Sequence, residues 1–320
     1  MSPLLDVQHL TTYYTTSRGP VRAVENVSFK VEEGEAMGLA GESGCGKTTA
    51  ALSILRILPP NGKIVDGKVL FRGRDIIKLS EEQLRKEVRW KGMSLIFQGA
   101  MNALNPLYTI GYQSVEAIRI HEPNVSKKEA KERVAKLLEM VGIDPSRAGN
   151  YPHEFSGGMR QRAMIAMALT CNPDLVIADE PGTALDVIVQ AQVMKLVTEL
   201  RRRLNLAMVM ITHDLSLISE TCDKLVIMYA GEIMESGDVL TMFKKTLHPY
   251  TQGLITAFPH IKEAKHKMGS IPGSPPDLLN PPDGCRFYPR CSYTMDVCKK
   301  KVPELKEVEK GHLVACHLIG

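Results

Sequence analysis

The chain has 320 residues, roughly twice the length of a typical domain, so the choices are one large domain with an appendage or two domains. Its composition, 44% hydrophobic and 24% charged, is that of an ordinary globular protein and excludes a disordered chain or a small disulfide scaffold. The formal net charge of +4 is too small to indicate a nucleic-acid partner.

Neither a membrane span nor a targeting segment is evident in the sequence. The longest apolar runs, such as Leu206–Ile211, are far shorter than the roughly 20 residues that a membrane-spanning helix needs. The first residues, Met1–Asp6, carry neither the basic nor the apolar part of a secretory signal. We therefore expect a cytoplasmic chain that reaches a membrane only by docking on a partner.

The first quarter of the chain predicts strands followed by a loop and a helix. Short apolar or alternating runs predict strands at 4–7, 27–31 and 36–40. After a glycine-rich segment, helix formers continue from Thr49 to Leu58, where Pro59 and Pro60 stop the helix.

The rest of the chain predicts helices, then a parallel sheet, then a tail. A capping box at Ser126 and helical spacing from Ala130 to Val141 indicate a helical segment over about 99–172. Apolar runs that alternate with helical patterns predict buried parallel strands, at Leu175–Ala178, Met208–Thr212 and Lys224–Tyr229. From His248 the character changes, and a proline-rich linker at 269–284 leads into a tail that carries cysteines.

The segment Gly41–Thr48 fits the phosphate-loop pattern G-x-x-x-x-G-K-[ST]. In this pattern backbone N–H groups cradle phosphates, the lysine reaches the β and γ phosphates, and the hydroxyl ligates Mg²⁺. A plain glycine-rich turn is the alternative, which the flanking strand and helix disfavour. The predicted ATP-binding residues of this segment are Gly41, Ser43, Gly44, Cys45, Gly46, Lys47, Thr48 and Thr49.

Two carboxylates, Asp179 and Glu180, follow the buried strand at 175–178. Ligands of open α/β sheets bind at the carboxyl ends of the strands. We therefore predict that Asp179 holds Mg²⁺ through water and that Glu180 polarises the attacking water. Capping of the next helix is the alternative for such a pair.

The segment Phe155–Arg162 resembles the signature sequence of ATP-binding cassette (ABC) ATPases. Gln98 resembles the Q-loop, Ala184-Leu185-Asp186 the D-loop, and His213 the switch histidine of this family, in the expected order. The resemblance covers about residues 4–245. It implies an α/β P-loop NTPase cassette with a RecA-like parallel-sheet core, an antiparallel β part and a helical subdomain.

The resemblance also implies a role for each motif. The implied enzyme hydrolyses ATP in a head-to-tail dimer, in which Lys47 of one subunit and Ser156 of the other close on one γ-phosphate. Tyr14 would contact adenine, with Tyr13 as the alternative because successive strand residues face opposite sides. The remaining implied roles are catalysis by Glu180, His213 and Gln98, Mg²⁺ ligation by Thr48, Gln98 and Asp179, contacts to the partner's ATP by Ser156, Gly157, Gly158 and Gln161, and the D-loop role of Asp186.

Several segments are similar to the dipeptide and oligopeptide importer branch of this family. They are Ile96–Pro106, His248–Thr251, Ile271–Pro276, Cys285–Phe287 and Pro289–Cys291. The similarity implies a nucleotide-binding domain at 1–247, with its helical signature subdomain at about 99–172, and a C-terminal extension at 248–320.

The importer branch implies a peripheral subunit on the cytoplasmic side of the cell (inner) membrane. Its implied partners are a second ABC ATPase chain, two permease subunits and, indirectly, an extracytoplasmic solute-binding protein. Import of nickel or another small solute is an alternative within the branch. A soluble cassette ATPase acting on nucleic acid or ribosomes is the rival of another class, but the chain has neither the long coiled-coil insertion nor the second cassette that this rival needs.

The chain has seven cysteines, and this odd number favours thiols or metal ligands over disulfides. Four of them lie in the last forty residues. Their spacing lacks the close pairs of structural zinc sites, and the resemblance favours a [4Fe–4S] cluster, with zinc or unliganded thiols as alternatives. The predicted ligands are Cys285, Cys291, Cys298 and Cys316. We expect the cluster to be structural and hydrolysis to survive its loss, because the predicted phosphate ligands all precede residue 214.

Overall fold

A computed structural model of the chain describes residues 2–99, 103–183, 185–257 and 271–319. The chain divides into two units. The first contains Met1–Val31, Glu35–Ile77 and Met210–Gly320, and the second contains Glu32–Gly34 and Lys78–Val209.

Strands and helices alternate along most of the chain. The strands are β1 Leu5–Thr16, β2 Gly19–Val31, β3 Ala36–Ala40, β4 Gly62–Phe71, β5 Arg74–Asp75, β6 Met93–Ile96, β7 Leu175–Asp179, β8 Ala207–Ile211, β9 Lys224–Tyr229, β10 Glu232–Asp238, β11 Lys306–Glu309 and β12 His312–Val314. The α-helices are α1 Lys47–Ile54, α2 Glu81–Gln83, α3 Ile110–His121, α4 Lys127–Met140, α5 Gly157–Ala168, α6 Val187–Leu204, α7 Leu215–Thr221, α8 Val239–Lys244, α9 Pro249–Thr256 and α10 Asp296–Lys300. This confirms the predicted α/β class.

The first unit contains an antiparallel sheet in the order β2-β1-β4-β5. The predicted strands at 4–7 and 27–31 are only the buried ends of β1 and β2, which continue for 12 and 13 residues. The register between them shifts after Val7, Leu10 and Thr12, and each shift changes which side chains face the core. The interrupted alternation hid the length of both strands from the sequence pattern.

A second sheet of the first unit begins with β3, which pairs in parallel with β9. All five residues of β3 are buried, as its uniformly apolar sequence predicts. The strand β9 turns at Ala230 and Gly231, both at positive φ, into the antiparallel β10.

The helix that follows β3 is shorter than predicted. It begins at Lys47 and ends at Ile54, four residues before Leu58. Arg56 has φ of 51°, and this left-handed conformation ends the helix before Pro59 is reached.

The tail joins the second sheet of the first unit by strand pairing. β12 pairs with β10, matching Val314 with Glu235, and β11 adds to β12. The buried Glu235 carboxylate accepts hydrogen bonds from the backbone N–H groups of Leu247 and His248, at 2.8 and 3.0 Å, and lies 2.8 Å from His312 Nε2. The tail is therefore held by a β-ladder and a buried polar network, beyond whatever its cysteines contribute.

The second unit contains the predicted helical segment and the parallel pair β6 and β7, in which Ile96 matches Ala178. The helices α3, α4 and α5 confirm that segment. The Ser126 hydroxyl caps α4 by accepting a hydrogen bond from the backbone N–H of Glu129 at 3.2 Å. In the described part of the chain, no helix combines the length and the apolar character that crossing a membrane requires.

Candidate functional site

The loop at 41–48 follows the end of β3 and depends on glycine at two positions. Gly41 has φ of 149°, and a Cβ atom there would lie 2.1 Å from the carbonyl oxygen of Met228. Gly46 has φ of 104°, and a Cβ atom there would lie 2.2 Å from the carbonyl oxygen of Ala23. The loop thus packs directly against neighbouring backbone, which no larger residue permits.

Lys47 opens α1 with its side chain folded back over the loop. The residue is 6% exposed. Its Nζ donates hydrogen bonds to the carbonyl oxygens of Gly41 and Glu42, at 2.8 and 3.0 Å, and lies 3.5 Å from Cys45 Sγ. Burial raises the pKa of the Cys45 thiol, so this group remains protonated beside the ammonium. A cation at the start of a helix and inside a ring of backbone groups is suited to phosphate.

The remaining predicted phosphate-site residues of the first unit lie around this lysine. Ser43, Gly44 and Thr48 are exposed, and Thr49 is half-buried. An exposed hydroxyl at Thr48, next to the buried Lys47, fits the predicted Mg²⁺ ligand.

The two candidate tyrosines of β1 point to different neighbours. Tyr14 donates its hydroxyl hydrogen to Thr49 Oγ1 of α1 at 3.2 Å. Tyr13 donates to Glu25 Oε1 of β2 at 3.0 Å. Tyr14 therefore lies next to the helix that follows the loop, which favours it over Tyr13, and its contact with adenine stays a prediction.

Two residues of the C-terminal extension hold the loop, and the sequence analysis missed both. The backbone N–H of Glu42 donates to the hydroxyl of Tyr250 at 3.0 Å. The Glu42 carboxylate accepts hydrogen bonds from Nη1 and Nη2 of Arg290 at 2.6 and 3.0 Å. These partners are more than 200 residues apart in sequence, so no local pattern could reveal the contact.

In the second unit, Gln98 and Glu180 meet at the carboxyl ends of neighbouring parallel strands. Gln98 lies two residues after β6, and Glu180 follows Asp179, the last residue of β7. Gln98 Nε2 donates to Glu180 Oε2 at 2.8 Å, and the Thr183 hydroxyl donates to the same oxygen at 2.8 Å. Glu180 is held at φ of 44°, an uncommon conformation for a residue other than glycine.

Thr183 is a further residue that the sequence analysis missed. Its contact with Glu180 follows from the turn between β7 and α6, and a threonine three residues after the carboxylate was the only signal. Asp179 is 5% exposed, whereas Glu180 is half-buried. The two carboxylates thus occupy different environments, as their different predicted roles require.

The predicted signature residues surround the start of α5. Ser156 is exposed, and its hydroxyl caps the helix by accepting a hydrogen bond from the N–H of Met159 at 3.3 Å. Gly157 and Gly158 form the first turn, and a Cβ atom on Gly158 would lie 2.6 Å from Val189 Cγ1. Gln161 is only 2% exposed, so it has the least support as a contact to ATP of another subunit.

The remaining motif residues occupy ends of helices or strands. Asp186 is exposed and caps α6 by accepting a hydrogen bond from the N–H of Val189 at 2.9 Å. Ala184, the first residue of the predicted D-loop, lies outside the described residues. His213 is exposed two residues beyond β8, and Asp214 caps α7.

The four tail cysteines are free thiols. The pKa of Cys285 is raised to about 12, mainly by burial and to a smaller extent by the nearby charges of Cys298, Glu232 and Cys316. Burial also raises the pKa values of Cys291 and Cys316. Over residues 2–99, 103–183, 185–257 and 271–319, however, no group of three or more His, Cys, Asp or Glu side chains is placed to hold a metal ion. The predicted [4Fe–4S] cluster and its zinc alternative therefore have no support in the described structure.

Two family profiles match the chain. Residues 24–183 match the family described as ABC transporter. Residues 234–298 match the family described as oligopeptide/dipeptide transporter, C-terminal region.

Full-length relatives carry similar descriptions. The probable peptide ABC transporter ATP-binding protein y4tR of Sinorhizobium fredii is 47% identical, with 98% of this chain and 94% of that protein covered. The dipeptide transport ATP-binding protein DppD of Escherichia coli is 43% identical, over 98% of this chain and 96% of that protein. The oligopeptide transport ATP-binding protein OppD of Escherichia coli is 46% identical, over 98% of this chain and 92% of that protein.

Among solved structures, the dimeric ATP-binding cassette MJ0796 in a post-hydrolysis state with ADP and Pi has a TM-score of 0.65 and 26% identity. The alignment covers 73% of this chain and 98% of the MJ0796 chain. The structure of cbiO1 from Clostridium perfringens also has a TM-score of 0.65 and 26% identity, over 77% of this chain and 92% of that one.

The chain belongs to the ABC transporter family. Within this family, residues 234–298 of the chain match the C-terminal region of oligopeptide and dipeptide transporters.

Proposed function

We propose that the chain is the ATP-hydrolysing subunit of an ABC transporter that imports dipeptides or oligopeptides. The observation that carries the ATPase part is the loop at 41–48, with a buried lysine at the start of a helix. The Gln98–Glu180 pair at the ends of parallel strands supplies the acidic group that hydrolysis needs. The peptide part rests on relatives named as peptide, dipeptide and oligopeptide transport proteins.

Within the first unit, Lys47 would hold the β and γ phosphates, Thr48 would ligate Mg²⁺ and Tyr14 would pack against adenine. Glycines 41, 44 and 46 would place backbone N–H groups around the phosphates. Within the second unit, Gln98 and Asp179 are the further residues proposed as Mg²⁺ ligands.

For the chemistry, Glu180 would accept a proton from the attacking water while Gln98 and Thr183 orient its carboxylate. His213 would orient the γ-phosphate. The exposed start of α5, with Ser156 and two glycines, would bind the ATP of a second subunit, and Asp186 would line that interface.

For assembly, we infer a pair of cassette subunits on the cytoplasmic face of the cell membrane, together with two permeases and a solute-binding protein. Supporting this, the related cassette MJ0796 is described as dimeric. We also propose a nucleotide-binding domain at 1–247 and a C-terminal extension at 248–320.

The metal-binding role of the tail also stays a proposal. Its support is the crowding of four cysteines into the last forty residues and the resemblance of this segment to the importer branch, to which the described structure adds no metal-binding group. Protein purified without oxygen would contain roughly four iron atoms per chain if they ligate a cluster. One zinc per chain would contradict the cluster, and no metal at all would contradict a metal-binding role of the tail.

Reconstitution tests the function directly. The subunit is assembled in liposomes with its permease subunits, and a solute-binding protein is added outside. Uptake of a labelled dipeptide or pentapeptide is then measured with ATP enclosed in the liposomes. ATP-dependent peptide uptake is the expected result. ATP hydrolysis with uptake of nickel but not of peptide would contradict the cargo and leave the ATPase assignment standing.

A further inference from the structure

Arg290 in the C-terminal extension uses all five of its N–H groups. Nε donates to the carbonyl oxygen of Pro272 at 2.7 Å. Nη1 donates to Glu42 Oε2 and the Tyr229 hydroxyl, and Nη2 to Glu42 Oε1 and the Ile271 carbonyl oxygen, at 2.6 to 3.3 Å. Five donors are the whole capacity of a guanidinium, and its planar fork matches a carboxylate in a way that lysine does not.

The acceptor at the centre of this arrangement, Glu42, lies inside the loop at 41–48. Its side chain pairs with Arg290, and its backbone N–H donates to Tyr250. Its carbonyl oxygen accepts a hydrogen bond from Lys47. Arg290 and Tyr250, both beyond position 247, therefore fix the side chain and the backbone N–H of Glu42. The carbonyl oxygen of the same residue holds Lys47.

The pair also changes the charge of the loop. An unpaired carboxylate at position 42 would repel the phosphates of an incoming nucleotide, because like charges in a partly buried site are poorly screened. The Arg290 side chain is 5% exposed and that of Glu42 27%, so solvent screens the pair only in part. Its hydrogen bond to Glu42 raises the pKa of the Arg290 guanidinium, which therefore keeps its positive charge at physiological pH.

We propose that Arg290 is a positioning residue for nucleotide binding, which cancels the charge of Glu42 and holds the loop in a shape that accepts phosphate. The C-terminal extension thereby sets the affinity of the cassette for ATP. This inference rests on the proposed binding of ATP at residues 41–48.

Arg286 provides a matched control in the same extension. Its side chain is 3% exposed and is paired with Glu25 and with Glu232, the latter at 3.1 Å, instead of with the loop. Arg286→Gln therefore breaks a buried ion pair of the tail without removing the partner of Glu42.

The test measures binding of Mg²⁺ and mant-ATP to the full chain by fluorescence titration. The variants are Arg290→Gln, Arg290→Lys, Glu42→Gln, the double variant Glu42→Gln/Arg290→Gln, and Arg286→Gln. Thermal unfolding of each variant shows whether it is folded.

We expect Arg290→Gln to weaken binding about tenfold. Arg290→Lys retains the positive charge and should weaken binding of mant-ATP about threefold, because an ammonium replaces only part of the two-pronged guanidinium contact with Glu42. The double variant, which has no charge left to cancel, should bind within about twofold of the Glu42→Gln single variant, and Arg286→Gln should stay within about twofold of wild type.

Three results would overturn the proposal: wild-type affinity in Arg290→Gln, a double variant as weak as Arg290→Gln, or an equal loss in Arg286→Gln. If Arg290→Gln does not fold, the comparison of Arg290→Lys with the double variant decides, because equally strong losses in both would contradict a charge effect. Absence of binding by wild type would overturn the proposed function as well, whereas binding by wild type with no difference among variants would overturn this inference alone.

Discussion

The loop at 41–48 and the segment at 156–158, called the second loop below, look alike in sequence, since both place serine and glycines at the start of a helix. In the structure they are supported differently. The first is pressed against the backbone at Ala23 and Met228 and is held through Glu42 by residues of the C-terminal extension. The second is exposed at Ser156, whose hydroxyl is bonded to the N–H of Met159 on its own helix.

This difference in support matches the two proposed tasks. A loop that binds ATP within its own subunit gains affinity from being ordered beforehand, because binding then costs less conformational entropy. A loop that meets the ATP of another subunit must present an open surface. Four predictions, from the largest expected effect to the smallest, test this contrast.

Neither loop is expected to perform the chemistry, which we propose for Glu180 with its hydrogen-bond partners Gln98 and Thr183. Glu180→Gln should lower ATP turnover by about a hundredfold or more, because an amide cannot accept the proton of water. Binding of mant-ATP should persist. Phosphate release measures turnover, and Glu199→Gln, the same change on the exposed face of α6, is the control. Near-normal hydrolysis by Glu180→Gln would show that another group is the base.

The second prediction concerns acid and His248, which caps α9 by accepting a hydrogen bond at Nδ1 from the backbone N–H of Tyr250, a residue that holds the first loop through Glu42. Burial lowers the pKa of His248 to about 4, below its usual value near 6.5. Between these pH values the unfolded chain binds the proton more readily than the folded one, so stability falls as pH drops from 6.5 towards 4. The loss from this group reaches about 3 kcal/mol.

Urea unfolding at several pH values measures the His248 effect. His248→Asn is the matched variant, because asparagine keeps a helix-capping acceptor but does not titrate. Its free energy of unfolding should depend less steeply on pH than that of wild type. Parallel curves for the two proteins would show that His248 is not responsible.

Alanine at one glycine of each loop tests the packing difference. Gly46 has positive φ, and Gly46→Ala puts a Cβ atom against the Ala23 carbonyl oxygen. The change should lower the free energy of unfolding by about 2 kcal/mol and weaken nucleotide binding. In Gly157→Ala the nearest atom would be Leu185 Cδ2 at 3.5 Å, an ordinary contact, so stability and binding should change little. Equal losses in the two variants would contradict the difference in support.

Arginine at position 156 tests the open loop. Ser156→Arg should leave mant-ATP binding to the single subunit intact and weaken ATP-dependent pairing of subunits about tenfold, because bulk fills the exposed start of α5. Size-exclusion chromatography with light scattering, in a Glu180→Gln background, measures pairing. Ser219→Arg, a change at another exposed serine, is the control. Unchanged pairing of Ser156→Arg would contradict a composite site.

The contrast also changes what we expect of the tail. From the sequence alone we expect hydrolysis to survive unfolding of the tail, because the predicted phosphate ligands all precede residue 214. Contacts of Tyr250 and Arg290 with Glu42 now give the tail a route to the phosphate loop. Loss of the tail is therefore expected to weaken ATP binding, even if Glu180 and its partners remain in place.

Motifs whose residues are close in sequence could be predicted well. The phosphate loop, the strand before Asp179 and Glu180, and the capped start of α5 each depend on a few neighbouring residues, and the structure has the expected strand, loop and helix at each place. In such segments the steric and hydrogen-bonding preferences of neighbouring residues determine the local structure directly. The roles of their residues in ATP binding and hydrolysis remain predictions.

Element lengths were predicted less well where the local signal was interrupted. Register shifts concealed most of β1 and β2, and a left-handed residue at Arg56 ended α1 early. The tail cysteines are a harder case, because spacing alone says nothing about whether four thiols converge on one metal, and the described structure contains no such group.

By itself, the sequence determined the α/β class, the phosphate loop, the two acidic residues after a buried strand and the resemblance to cassette ATPases. Only the tertiary structure decided which residues hold these motifs. Arg290 and Glu42 are separated by 248 positions, and Gln98 and Glu180 by 82. Their contacts arise from strand pairing and chain topology, which bring distant residues together after the local elements have formed, and no pattern within a short window records that outcome.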